Sequence, residues 1–134
     1  MRDERYATAE HYMMVQKARL FGDADAARRI FDTAHPSDAK RLGRGVLGFD
    51  DVRWREHRFE IVVAASYAKF SQHEELGAFL LATGDRVIVE ASPRDTIWGI
   101  GLGQTNAAAG DPTRWRGLNL LGFALMKARA QLRR

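Results

Sequence analysis

The sequence predicts a mostly helical α+β domain, with about six helices around a small sheet remnant that has one clear strand over 86–92. Three observations carry this. Apolar residues recur at helical spacing through most of the chain. One short stretch, RVIVEAS (86–92), is instead rich in β-branched residues and reads as a strand. The stretch that follows, PRDTIWGIGLGQTNAAAGDPTRW (93–115), has little periodicity and carries Gly99, Gly101, Gly103 and Gly110, so it reads as loop.

Taken in order, Thr8 is suited to cap a first helix that stops at Gly22. DADAARRIFDTA (23–34) follows as a second helix with acids in its first turn. Pro36 suits the first turn of a short third helix ending near Gly43. A long helix is expected from Asp50 to about Gln72, with Val52, Phe59, Val62, Val63, Ala65, Ser66 and Phe70 on its apolar face. EELGAFLLAT (74–83) forms another helix before Gly84, and GLNLLGFALMKARAQLRR closes the chain as an amphipathic helix. A lone strand cannot satisfy its own backbone groups, so the strand over 86–92 needs a partner.

The 134 residues are expected to form one domain, 1–134. A hydrophobic fraction of 46% with three Pro argues against disorder. There is no cysteine, which excludes disulfides, thiolate metal sites and a Cys nucleophile. No apolar run approaches the ~18 residues of a membrane span. MRDERYATAE has no apolar region of the signal-peptide kind. The chain therefore reads as soluble and cytoplasmic. A net charge of +4 permits an anionic partner, but the cations are scattered. LGRGVLG (42–48) is the best candidate for a phosphate-directed patch, because Arg44 lies between two glycines that let backbone approach an anion.

Three stretches carry candidate chemistry. On a wheel of about 100° per residue, TAEHYMMVQKARLF (8–21) sets Glu10, Met13, Met14, Lys17 and Phe21 on one stripe. Seven residues span about 10 Å with almost no rotation, so Glu10 and Lys17 can reach one pocket from either end. They can equally be charged groups reaching water from an otherwise buried helix. VEASPRDTIWGIG (89–101) gathers Asp95, Trp98 and glycines including Gly99, either as a ligand site or as a turn cap beside a core indole. In AKFSQHEEL (68–76), Lys69 lies on or beside the apolar face, as a site residue or as a stem covering core. The four histidines show no metal spacing, and no Ser-His-Asp order, P-loop or zinc motif is present.

Together these motifs resemble the NADAR family, named for a proposed link to NAD and ADP-ribose. TAEHYMMVQKARLF is similar to the family's opening helix. LGRGV, Trp54 and AKFSQHEELGAFLLATGD are similar to its middle, and VEASPRDTIWGIG and WRGLNLLGFALMKAR to its end. The resemblance implies a compact, mostly helical α+β fold and an N-glycosidase activity. One branch of the family is implicated in hydrolysing the ribosylamine bond of early riboflavin-pathway intermediates, and another in removing ADP-ribose from guanine in nucleic acid. By position it implies Glu10 as the catalytic glutamate and Lys17 as the lysine that forms a Schiff base with ring-opened ribose. Trp54, Asp95 and Trp98 are the implied pocket residues, with Asp95 assisting catalysis. Arg44 and Lys69 are expected as phosphate contacts, and Gly99 and Asn119 as further substrate contacts.

The expected activity is hydrolysis of a ribose–base N-glycosidic bond in an ADP-ribosyl or ribosyl-phosphate substrate, either a nucleotide-like small molecule or ADP-ribosylated nucleic acid. The alternative is a module that binds ADP-ribose without cleaving it. No cofactor, metal or membrane is expected. The family usually opens with a segment of the kind "FSNF…P…G", which this chain is expected to lack. That would leave the strand over 86–92 as an edge available to another copy.

Overall fold

A computed structural model describes residues 6–134. Positions 1–5, part of the stretch read as lacking a signal region, lie outside the described residues. The chain divides into two compact units, Met1–Lys69 and Phe70–Arg134.

The first unit begins with α1 (Ala9–Leu20), α2 (Ala24–Asp32) and α3 (Pro36–Arg44). The Thr8 hydroxyl accepts the His11 backbone N–H at 3.2 Å and so caps α1. Gly22, at φ 74°, makes the left-handed turn that ends α1. Asp23 then caps α2 by accepting from the Ala26 N–H, and its other oxygen takes the Leu47 N–H at 2.9 Å. Pro36 opens α3 in the first turn, where its missing N–H costs nothing. Met14, Val15, Ala18, Ala26, Ala27, Ile30, Ala39 and Val46 form the core of these helices. α3 approaches α1 closely because residue 43 is glycine; a Cβ there would overlap the Met14 sulfur. The unit continues into α4 (Asp51–Gln72), which buries Val62, Val63, Ala65, Ser66 and Ala68. Val52, expected on its apolar face, is exposed in the first turn.

The second unit holds α5 (Glu74–Ala82), an extended segment, a long loop with two short 3-10 turns (Ala107–Gly110 and Pro112–Arg114), and α6 (Leu120–Leu132). Ile100, Leu102 and Ala108 form its small core, with Val89, Ala109 and Trp115 packed on them. The Trp115 indole N–H donates to the Ala109 carbonyl at 2.9 Å and so holds the loop to itself.

The expected α+β class is overturned. The described residues are helical with no strand, so the sheet remnant over 86–92 does not exist and the fold is all-helical. The physical reason lies in Asn119. Its Oδ1 accepts the Glu90 N–H at 2.9 Å, and its Nδ2 donates to the Ile88 carbonyl at 3.0 Å. A side-chain amide thus presents the donor and acceptor that a neighbouring strand's peptide would present. The Arg129 guanidinium adds a bond to the Arg86 carbonyl at 2.9 Å, and the Ile100 N–H one to the Glu90 carbonyl at 3.0 Å. The β-branched sequence makes the backbone extended, while side chains and loop take the place of a ladder on this edge.

Asn119 also sets where α6 begins. It is fully buried and lies at φ 52°, a left-handed conformation that asparagine tolerates better than most residues. The helix therefore starts at Leu120, three residues later than its sequence pattern begins. Gly122 allows the Ile88 carbonyl to lie against the first turn, where a Cβ would collide with it.

Candidate active site

Glu10 lies in the first turn of α1 and Lys17 in its last, and both are half-buried. The Lys17 ammonium sits 4.8 Å from the centroid of the Phe49 ring and 5.5 Å from that of Trp54. Phe49 packs on Phe21, one turn beyond Lys17, with 5.3 Å between ring centroids. Three aromatic rings therefore gather around the C-terminal end of α1.

The local sequence explains this grouping. The Leu47 N–H is tied to Asp23, and Gly48 at φ 78° turns the chain close to Phe21. Asp50 then caps α4, its Oδ1 accepting the N–H groups of Val52 at 2.9 Å and Arg53 at 3.4 Å. Phe49 immediately before that cap, and Trp54 in the first turn after it, converge on the same ammonium.

Burial pushes the Glu10 carboxyl up from the ordinary carboxylate range; the charges of Lys40, His11 and Lys17 pull it back in part. Burial also pulls the Lys17 ammonium down, opposed by the Glu10 charge. The ring faces favour the cation, by about 0.5–1 kcal/mol for a partly exposed pair. Desolvation is the larger effect, so the balance moves toward the free amine. The pair thus combines a carboxyl inclined to keep its proton with an amine inclined to lose one, a combination suited to acid catalysis and nucleophilic attack.

His11 stands between them in sequence but does structural work. Its ring is fully buried, with Nε2 2.8 Å from the Thr33 carbonyl and Nδ1 2.7 Å from the Thr8 hydroxyl. A carbonyl only accepts, so Nε2 carries a proton. The Thr8 hydroxyl accepts the His11 backbone N–H and also bonds Nδ1. This network fixes the start of α1, and Glu10 with it, against the end of α2.

Of the residues expected from sequence, the first unit brings Glu10, Lys17 and Trp54 onto α1 and the start of α4. Arg44, in the last turn of α3, and Lys69, near the end of α4, are exposed. The second unit holds Asp95, Trp98, Gly99 and Asn119. Asp95 Oδ1 accepts the N–H groups of Ile97 at 3.0 Å and Trp98 at 2.8 Å, so its carboxylate caps the turn that carries the indole. A Cβ on Gly99 would lie 2.8 Å from the Asp95 carbonyl and 2.9 Å from that of Glu90, so this glycine permits close backbone packing. Asn119 is engaged with Ile88 and Glu90 as described above.

Sequence reasoning missed two residues. Phe49 lies just past LGRGVLG (42–48), the stretch read for a phosphate patch; an aromatic directly before a helix cap was the available signal. Lys40 was counted as surface charge, yet its charge acts on Glu10 more than any other. Among the described residues, no group of three or more His, Asp or Glu side chains is placed to hold a metal. No helix among them is long and apolar enough to cross a membrane.

The NADAR domain profile matches residues 1–133. The chain is similar to N-glycosidase R617 of Acanthamoeba polyphaga mimivirus, 45% identical over 126 residues, covering 94% of this chain and 74% of that protein. It is similar to N-glycosidase YbiA of Escherichia coli (strain K12), 34% identical over 127 residues, covering 95% of this chain and 71% of the relative. The NMR structure of E. coli YbiA superposes with a TM-score of 0.73 at 34% identity, over 93% of this chain and 66% of that one.

Proposed function

The chain belongs to the NADAR domain family, and on that premise we propose that it is an N-glycosidase that cleaves the ribose–base bond of an ADP-ribosyl or ribosyl-phosphate substrate. The observation that carries this reading is the half-buried Lys17 amine over Phe49 and Trp54, on the same helix as a Glu10 whose carboxyl is shifted toward its protonated form.

The reaction needs an acid for the leaving base and an electron donor for the cationic sugar carbon. Glu10 donates its proton to the base nitrogen as the C1–N bond breaks. The free Lys17 amine adds to C1 and the bond from C1 to the ring oxygen breaks as the sugar opens; of the two protons the nitrogen then sheds, one passes to that oxygen and the other back to Glu10, leaving an imine between C1 and Nζ. Water adds to the imine and expels the amine, which releases the sugar as its aldehyde. The sum is one water consumed and one N-glycosidic bond cleaved. The aromatic rings keep water from Lys17 and offer a face for the base to stack on.

A hydrolysis assay on guanine-ADP-ribosylated DNA and, separately, on ribosylaminopyrimidine phosphates tests the proposal. Turnover of one substrate is expected, lost in both Glu10→Gln and Lys17→Ala. Borohydride added during turnover should leave the reduced sugar on Lys17, seen as a mass increase on its peptide. Full activity in Lys17→Ala would eliminate the covalent route. ADP-ribose binding without turnover of either substrate would favour a binding module instead.

A further inference from the structure

Asp23 joins three parts of the first unit. Its backbone N–H donates to the Ala18 carbonyl at 2.9 Å, near the end of α1 and one residue on from Lys17. One carboxylate oxygen accepts the Ala26 N–H at 3.1 Å and caps α2. The other accepts the Leu47 N–H at 2.9 Å. Ser, Thr or Asn would serve as a cap for α2. None of them offers two acceptor oxygens, one for each N–H. The two N–H groups, Leu47 more than Ala26, hold the Asp23 carboxyl below its ordinary range, so both oxygens accept at neutral pH. What aspartate adds to the cap is the hold on Leu47.

Leu47 opens the short span that carries the Phe49 ring. Val46 before it is buried in the core, and Asp50 after it caps α4. Between these anchors Gly48, at φ 78°, makes a left-handed turn, where a Cβ would lie 3.4 Å from the Phe21 carbonyl oxygen. Leu47 is 74% exposed, so its side chain fixes little and its backbone is the part that is held. The Phe49 ring that follows packs on Phe21 and lies 4.8 Å from the Lys17 ammonium.

We propose that Asp23 is a positioning residue for Lys17: through the Leu47 N–H it holds the turn over 47–49 against the end of α1 and so keeps the Phe49 ring at the amine. This rests on the reading of Lys17 as the reacting amine. Asp23 acts through the ring and not through its own charge; the charge that acts on Lys17 is that of Glu10. Releasing the turn lets water reach the ammonium, and the Lys17 value, lowered chiefly by burial, then rises.

The pH dependence of reductive methylation at Lys17 tests this without turnover, so Asp23's role is separated from the identity of the reaction. Asp23→Ser keeps an acceptor for the Ala26 N–H and loses the hold on Leu47. Leu47→Pro removes the N–H and leaves Asp23 and its cap in place. A left-handed glycine follows position 47, as in a type II turn, where proline is well accommodated. Each substitution is expected to raise the Lys17 midpoint by about half a pH unit, leaving about threefold less free amine at neutral pH. In a Phe49→Ala background neither should move it further, because the ring they act through is gone. With a substrate that turns over, the rising limb of kcat against pH moves up equally, so activity lost at neutral pH returns at higher pH. A loosened fold would instead lose activity at every pH. An unchanged midpoint in variants that melt like the parent, or shifts that add to that of Phe49→Ala, overturns the proposal. A shift in Asp23→Ser alone would assign the effect to charge and overturns it equally. The expected shifts with neither substrate hydrolysed would uphold the positioning role and count against the hydrolase reading. If neither variant folds, the unaltered chain decides: the Leu47 amide must exchange slowly although the residue is exposed, and fast exchange overturns the proposal.

Discussion

Lys17 and Phe49, 32 positions apart in sequence, place an ammonium 4.8 Å from the centre of a ring. The ring lies against an amine that α1 carries on its apolar stripe. That ring is itself 45% exposed, so it lies at the surface and not in the core.

Phe49→Ala is therefore expected to change Lys17 more than it changes the fold. The substitution removes an attraction for the cation and also lets water reach it. Burial is the largest cause of the lowered Lys17 value, so rehydration dominates and the value rises toward that of an ordinary lysine. The free-amine fraction at neutral pH falls, and turnover falls with it by roughly tenfold, the effect of about one pH unit. The pH dependence of reductive methylation at Lys17 reads this directly. A midpoint that moved downward would mean that the ring mainly holds the ammonium.

Glu10→Gln is expected to abolish turnover and raise the melting temperature at neutral pH. Burial raises the folded-state value of Glu10, so the folded protein binds this proton more tightly than the unfolded chain. That contribution is fully present below the ordinary glutamate range and is lost as pH rises through the raised value. Glutamine is neutral throughout and does not suffer this loss. The difference in melting temperature, variant minus parent, should be near zero at about pH 4 and grow positive toward pH 8. Thermal melts across that range check the sign, and a variant that melts lower at pH 8 would contradict it.

Asn119→Ala is expected to be among the most damaging single changes in the second unit. It strips partners from the Glu90 N–H and the Ile88 carbonyl and puts alanine at φ 52°. Leaving buried groups unsatisfied costs about 1–3 kcal/mol each, and the strained backbone adds about 1 kcal/mol. Asn119→Gly relieves the strain but not the lost bonds, so it should recover only a small part. Urea unfolding of the three proteins separates these contributions.

The Glu10 and Lys17 pair was legible because helical periodicity alone puts both on one stripe, and a charge on an apolar stripe is conspicuous. Trp54 could be named from its motif, but its approach to Lys17 depends on how Asp50 caps α4. Phe49 and Lys40 could not be read in this way. Their roles come from a turn at Gly48 and from the close approach of α3 at Gly43, neither of which leaves a periodic trace. The segment 86–92 was misread for a related reason. Its β-branched residues report an extended backbone, but the identity of the hydrogen-bond partner is not a local property.

By itself the sequence determined the six helices, since side-chain periodicity, capping residues and helix-ending glycines act over a few positions. It also determined the family and set Glu10 and Lys17 on one stripe of α1. Only the tertiary structure decided that an asparagine amide replaces a strand, that Asp95 caps its own turn, and that Phe49 covers Lys17. Each of these depends on which distant polar group or ring occupies a given point in space. Packing and hydrogen-bond satisfaction settle that for the folded chain as a whole.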